Sequence, residues 1–213
     1  MLPIVDQDLS KEPLSGQREF STQDGIAHEF GIKLAPEQQG HGAFPTMDYV
    51  FRVTDHPVPM RLSAHLSGGL ATRAQMADFE TPVQLLRPHF QRVLIDTASY
   101  VDTGRLRVWA VQHQLLPIAR CKNMLPDDDN CHWVCTVSDR VDGATAWPRP
   151  PKGAFSGYAG GLNVSNVEQA VKSIGAMGHP YWLQIERGVR DAQGRFSLKM
   201  CRAICAAVYG ARP

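Results

Sequence analysis

The stretch Phe155-Ser-Gly-Tyr-Ala-Gly-Gly-Leu162, continued by Asn163-Val-Ser-Asn-Val-Glu168, decides the fold. A short apolar strand runs into two adjacent glycines. Asn163 or Ser165 then caps a helix whose apolar positions are Val167, Ala170, Val171 and Ile174. Paired glycines between strand and helix let the backbone approach an anion, and the helix N-terminus offers free N–H groups with a partial positive charge. A second strand, Tyr181 to Glu186, follows at once and ends in Arg187-Gly188-Val189. In (β/α)8 barrels the loops after strands 7 and 8 commonly hold a phosphate. The last quarter of the chain thus reads as a phosphate grip, with Gly160, Gly161, Asn163, Arg187 and Gly188 as its candidate residues.

Working outward, strand patterns alternate with helical ones. Strands are expected at Leu2 to Asp6, Met60 to Leu66, Arg92 to Thr97, Pro117 to Lys122, Trp133 to Val137, Phe155 to Ala159 and Tyr181 to Glu186. Several are nearly continuous apolar runs, as parallel strands covered on both faces require. Helical spacing predicts one helix after Pro45-Thr46 with Met47, Val50 and Phe51 inward. Others are expected over Leu70 to Phe79 and Val101 to Leu115, with a short piece at Val83 to Leu86. Repeated βα units argue for a parallel sheet with right-handed crossovers. The expected fold is a single TIM (β/α)8 barrel over residues 1–213. One unit between Leu9 and Ala43 is irregular or missing, with a short strand near Gly31 to Leu34 or a helix at Thr22 to Phe30 as its candidates. Prolines 148, 150 and 151 bar regular structure from Asp142 to Gly153, a segment placed to form a lid.

Ala159-Gly-Gly-Leu-Asn163, Asn166-Val167, Gly188-Val189 and Arg190-Asp191 before a closing helix resemble the C-terminal part of phosphoribosylanthranilate isomerases. Their pattern there is AGGLxxxNV, then SGVE, then KD. The resemblance covers residues 133 to 210, and Phe90-Gln-Arg-Val-Leu94 is similar to the family strand that ends in a VQLHG-type motif. It implies acid–base isomerisation of a phosphorylated sugar. The family's general base is a cysteine in an opening K-x-C-G motif, yet no Cys precedes Cys121. Thr136 takes the place of the family's acidic aspartate, with Asp139 three residues beyond, and the GGTG segment survives only as Asp142-Gly-Ala-Thr145. The binding half is kept and the chemistry half is not.

Residues at the C-terminal ends of barrel strands face the substrate. That rule selects Asp6 and Asp8, His65, Asp96 and Ser99, Cys121 and Lys122, Asp139, and Glu186 with Arg187. Asp6 and Asp139 are the stand-ins for the family's base and acid, and His65 and Asp96 complete the candidate catalytic set. Lys122 is the candidate Schiff-base amine of an alternative aldolase or lyase. A non-catalytic phosphate-ligand binding protein is the third reading.

Composition sets outer bounds. The chain has 213 residues, 43% of them hydrophobic, and a formal net charge of +1, which gives no electrostatic case for nucleic acid or an anionic membrane. Pro3, Asp6 and Asp8 interrupt the N-terminus, so no signal peptide is read there and a cytoplasmic location is expected. Five cysteines do not make a disulfide framework. Cys131 and Cys135 flank His132 but straddle a strand start without a second ligand pair, so no metal is expected. Neither is a cofactor. The expected partner is a small phosphorylated molecule, and the expected assembly a monomer or homodimer.

Overall fold

The computed structural model describes residues 3–4, 28–55, 60–78, 89–97, 100–137 and 146–210. Eight strands form one sheet in chain order: β1 Pro3–Ile4, β2 Glu29–Leu34, β3 Leu62–Leu66, β4 Phe90–Ile95, β5 Leu116–Lys122, β6 His132–Thr136, β7 Ser156–Ala159 and β8 Tyr181–Gln184. Every ladder between neighbours is parallel. The helices are α1 Met47–Thr54, α2 Gly68–Gln75, α3 Thr103–Gln112, α4 Val167–Gly175 and α5 Leu198–Tyr209. Side-chain caps start three of them. Thr46 accepts from the Tyr49 N–H, Asp102 from that of Arg105, and Ser197 from that of Met200. No helix among the described residues is long and apolar enough to cross a membrane.

Two clusters show how the sheet curls. A large one, from Phe30, Ile32 and Leu34 through Val93 and Ile95 to Tyr158 and Leu183, packs between strands and helices. A small one, Leu94, Ile118, Val134, Ala159 and Trp182, joins alternate residues of β4 to β8 on the opposite face. Alternation along each strand makes that second face the interior. Beneath it lies a charged floor. Glu29 of β2 takes two hydrogen bonds from Arg92 Nε (2.9 and 3.0 Å) and one from Arg92 Nη2 (2.7 Å). The same guanidinium lies 5.0 Å from the ring centre of Trp182, on β8. An arginine of β4 can reach both β2 and β8 only across a strongly curled sheet. Gly157 makes room, since a Cβ there would stand 2.3 Å from the Trp182 ring.

Several expectations change. The strand near Gly31 to Leu34 exists and is longer, Glu29–Leu34, so residues 28–30 are not helical. Residues 5–27, between β1 and β2, lie outside the described residues, as do Val83 to Leu86. Phe51 faces outward at 39% exposure, because Tyr49, Val50 and Val53 form the buried stripe of α1. The cap of α4 is Asn166 rather than Asn163 or Ser165. The irregular connection that the structure does describe falls between β5 and β6. Residues 123–131 carry no helix there, although parallel crossovers usually need one. Asp128 organises this segment. Its carboxylate accepts from Thr103 Oγ1 (2.5 Å) and the Asn130 N–H (2.8 Å), and its carbonyl accepts from the Trp133 indole (3.0 Å). Trp147 to Pro150, in the expected lid, packs instead on the outer side of β7. Trp147 meets the Tyr158 ring edge-on, and the Tyr158 hydroxyl donates to the Pro148 carbonyl at 2.9 Å.

Removing one partner of a buried ion pair leaves the other charge uncompensated. Replacing Glu29 with glutamine should therefore lower folding stability by roughly 3–5 kcal/mol, while the double replacement Glu29→Leu with Arg92→Met should recover most of it. Urea unfolding of the three proteins measures this, and an unchanged midpoint for Glu29→Gln would show that the pair does not hold the floor.

Candidate active site

Above the apolar layer of the interior, the carboxyl ends of the strands bring ionisable side chains together. Strand register fixes who meets whom. Lys33 on β2 pairs with His65 on β3, and His65 with Leu94 on β4. In-register partners share a face, so Lys33 and His65 point inward with Leu94. Two residues past Leu94, Asp96 continues on that side, as Arg120 follows Ile118 on β5 and Thr136 follows Val134 on β6. Glu186 lies just beyond β8.

Two ion pairs cross this mouth. Lys33 Nζ stands 2.8 Å from Glu186 Oε1, linking the ends of β2 and β8. Arg120 Nε stands 3.2 Å from Asp96 Oδ1, and Arg120 Nη1 donates to Thr136 Oγ1 at 3.1 Å. Burial alone would raise the Glu186 carboxyl, but Lys33, then Arg190 and Arg120, outweigh it and hold the group below the ordinary glutamate value. Glu186 is therefore a carboxylate at neutral pH. His65 is the reverse case. Burial, then the positive charges of Arg120, Lys33 and Arg92, push its imidazole well below 6.5, and its Nε2 shares a hydrogen bond with Ser63 Oγ at 3.2 Å. It serves as a neutral donor or acceptor rather than as a charged acid. At the base of the mouth, the buried Oε1 of Gln184 has no hydrogen-bond partner among the described residues.

Beside the ion pairs sits the glycine loop after β7. Gly160 (φ 137°) and Gly161 (φ 57°) adopt backbone angles that a side chain disfavours. The Gly161 carbonyl accepts from Asn163 Nδ2 (3.1 Å) and Asn166 Nδ2 (2.9 Å), and Asn163 Oδ1 accepts from the Ser165 N–H (2.8 Å). Asn163 thus shapes the loop with the side chain that sequence reading offered to a ligand. The short 3-10 turn Arg187–Val189 presses against the same loop. A Cβ on Gly188 would lie 2.0 Å from the Leu162 carbonyl oxygen, so only glycine allows this approach.

Of the residues singled out from the sequence, His65, Asp96 and Glu186 reach the mouth, and Gly160, Gly161, Asn163 and Gly188 form adjoining backbone. Arg187 is exposed at the start of the 3-10 turn, and Lys122 is exposed at the end of β5. Asp6, Asp8, Ser99 and Asp139 lie outside the described residues. Lys33 and Arg120 were missed. The signal for both is the period of two in Glu29-Phe-Gly-Ile-Lys-Leu34 and Pro117-Ile-Ala-Arg-Cys-Lys122, where polar positions alternate with apolar ones.

No protein-family model matches the chain, and no curated protein sequence matches it significantly. Solved structures do. The phosphoribosyl anthranilate isomerase of Thermus thermophilus is 18% identical, with 99% of each chain covered and a TM-score of 0.63. Monomers generated from the dimeric phosphoribosylanthranilate isomerase of Thermotoga maritima are 12% identical, with 99% of this chain and 98% of that one covered, and a TM-score of 0.63. A phosphoribosyl anthranilate isomerase in complex with reduced 1-(o-carboxyphenylamino)-1-deoxyribulose 5-phosphate is 11% identical, with 99% and 98% covered and a TM-score of 0.61. The described residues share the parallel, curled α/β fold of these isomerases.

Because the folded chain binds the His65 proton only well below 6.5 while the unfolded chain binds it near that value, stability is full above pH ~6.5 and falls as pH drops beneath it. NMR should show the His65 ring neutral from pH 8 down through the ordinary histidine range, and His65→Gln should flatten the acid limb of the stability curve. A normal midpoint for that ring would contradict the burial and charge described above.

Proposed function

We propose that the chain is an isomerase of the phosphoribosylanthranilate isomerase type, moving protons on a phosphorylated sugar or small phosphate ester. The observation that carries this reading is the meeting of a carboxylate–ammonium pair, Glu186 with Lys33, and a glycine loop at the carboxyl ends of parallel strands. The fold shared with those isomerases supports it, as does the phosphorylated ligand of one of them. We also read the chain as one domain, closed between β8 and β1 into a complete (β/α)8 barrel. The two strands lie beside each other, which favours closure.

In this reading the phosphate sits on the backbone N–H groups around Gly160, Gly161 and Gly188, with the exposed Arg187 guanidinium as counter-charge and Asn163 shaping the loop. Asp96 and Glu186 are the bases within the mouth, and the Lys33 ammonium protonates the leaving ring oxygen. Neutral His65 orients a hydroxyl. Asp6, just past β1, and Asp139, just past β6, remain candidates for base and acid by their place in the chain. Lys122 is exposed, which favours proton transfer over a Schiff-base aldolase at that amine. No cofactor enters this chemistry. A cytoplasmic monomer or homodimer is the assembly we favour, and the dimeric origin of one similar structure is in keeping with it.

The test is growth without tryptophan of cells that lack their own phosphoribosylanthranilate isomerase and carry this chain. Growth is expected. In the purified enzyme, Glu186→Gln and Asp96→Asn should each lower turnover by about 10²–10⁴-fold. Gly161→Val should abolish binding of phosphate esters in calorimetry while leaving the fold intact. Binding without any turnover would replace the isomerase with a ligand-binding protein, and borohydride trapping at Lys122 would replace it with an aldolase.

A further inference from the structure

The outer face of the β5–β6 ladder carries two thiols in register. Cys121 and Cys135 are direct partners there, and alternation turns both away from the interior that Arg120 and Thr136 face. Neighbouring strands run about 4.8 Å apart, inside the Cα separation of about 4.4–6.8 Å that a disulfide bridges. The Cys121 thiol donates to the carbonyl oxygen of Val134, the residue before Cys135, at 3.6 Å. Cys121 is half-buried and Cys135 fully buried. The neighbouring Cys135 sulfur, followed by burial, pushes the Cys121 thiol up, whereas the Cys121 thiol pulls Cys135 down against its own burial. By contrast, burial, together with Asp128, holds Cys131 up at about 12, and burial holds Cys205 at about 11.

We propose that Cys121 and Cys135 are a redox pair that closes to a disulfide under hydrogen peroxide and thereby reshapes the mouth. The thiolate of one partner attacks one peroxide oxygen, the O–O bond breaks, and hydroxide leaves to become water. The other sulfur then attacks that sulfenic acid, the S–S bond forms, the S–O bond breaks, and its proton departs with the second water. Two thiols lose two electrons in all, and one peroxide becomes two waters. Closure draws the two sulfurs together to about 2 Å. It shifts β5 against β6 at the adjoining residues, Arg120 and Thr136, whose 3.1 Å hydrogen bond joins the same two strands on the inner face. The bond does not depend on the reaction proposed above.

The experiment exposes the purified full chain to hydrogen peroxide, alkylates the remaining thiols and maps the digest by mass. Free thiols should fall from five to three, with one peptide pair joined through Cys121 and Cys135 and released by dithiothreitol. Amide hydrogen exchange should change in β5 and β6 and stay the same in α4 and α5. Cys121→Ser, at the half-buried member, should abolish the crosslink and keep the fold. Five alkylated cysteines, a sulfinic acid at Cys135, or a crosslink through Cys131, Cys201 or Cys205 would overturn the pair. A crosslink that leaves exchange at 120–122 and 134–136 unchanged would overturn the effect on the mouth.

Discussion

A single guanidinium sets the shape of the interior. Arg92 leaves the middle of the sheet, grips Glu29 two strands away and lies against Trp182 on the far side. Both charges are almost wholly removed from water, at 5% and 2% side-chain exposure. Such a pair is tolerable only when its geometry is nearly ideal, because desolvation of each ion costs several kcal/mol and must be offset by the attraction and hydrogen bonds between them. The curl of the sheet supplies that geometry, and the pair in turn keeps the curl. Everything above the floor inherits the spacing it sets, from the Leu94–Ile118–Val134 layer to the ion pairs of the mouth.

The mouth is built by balance rather than by one perturbed group. Two cations and two carboxylates alternate there, Lys33 with Glu186 and Arg120 with Asp96. The positive members keep Glu186 ionised despite its burial, whereas burial, reinforced by the same charges, keeps His65 neutral. Burial and charge together thus fix the protonation of two different residues in opposite senses. The family's cysteine and aspartate are absent from the matching sequence positions. What stands in the described mouth is a different set of donors and acceptors on the same scaffold, in keeping with the general separation of fold and chemistry.

How much of this was legible depended on which side of a strand a residue occupies. Runs such as Val93-Leu-Ile95 and Trp133-Val-Cys135 are apolar on both faces and announce their strands, and seven of the eight strands were readable within a few residues. Glu29–Leu34 was harder, because half its residues turn inward to a polar floor and mouth, so Glu29 and Lys33 look like loop residues until their partners are known. Arg120 was passed over for Lys122 because the strand-end rule favours the last residue, whereas the sheet holds the earlier one inside the mouth and leaves the later one in solvent. The glycine loop was legible because backbone angles, not partners, dictate its residues. The place of the α4 cap was not, since Asn163, Ser165 and Asn166 are all good caps and only the hydrogen-bond pattern within the loop chooses among them.

The helix-free link between β5 and β6 bears on how the chain finds its fold. Ile118 and His132, paired in the ladder, are 14 positions apart in sequence, whereas the described pairs of every other neighbouring strand couple are separated by at least 23. Loop-closure entropy rises with the length enclosed, so this ladder costs the least to form, and chains with near-neighbour pairings collapse soonest. The natural starting point of folding is therefore the middle of the chain, from which growth toward the glycine loop on one side and the Arg92 strand on the other completes the curl.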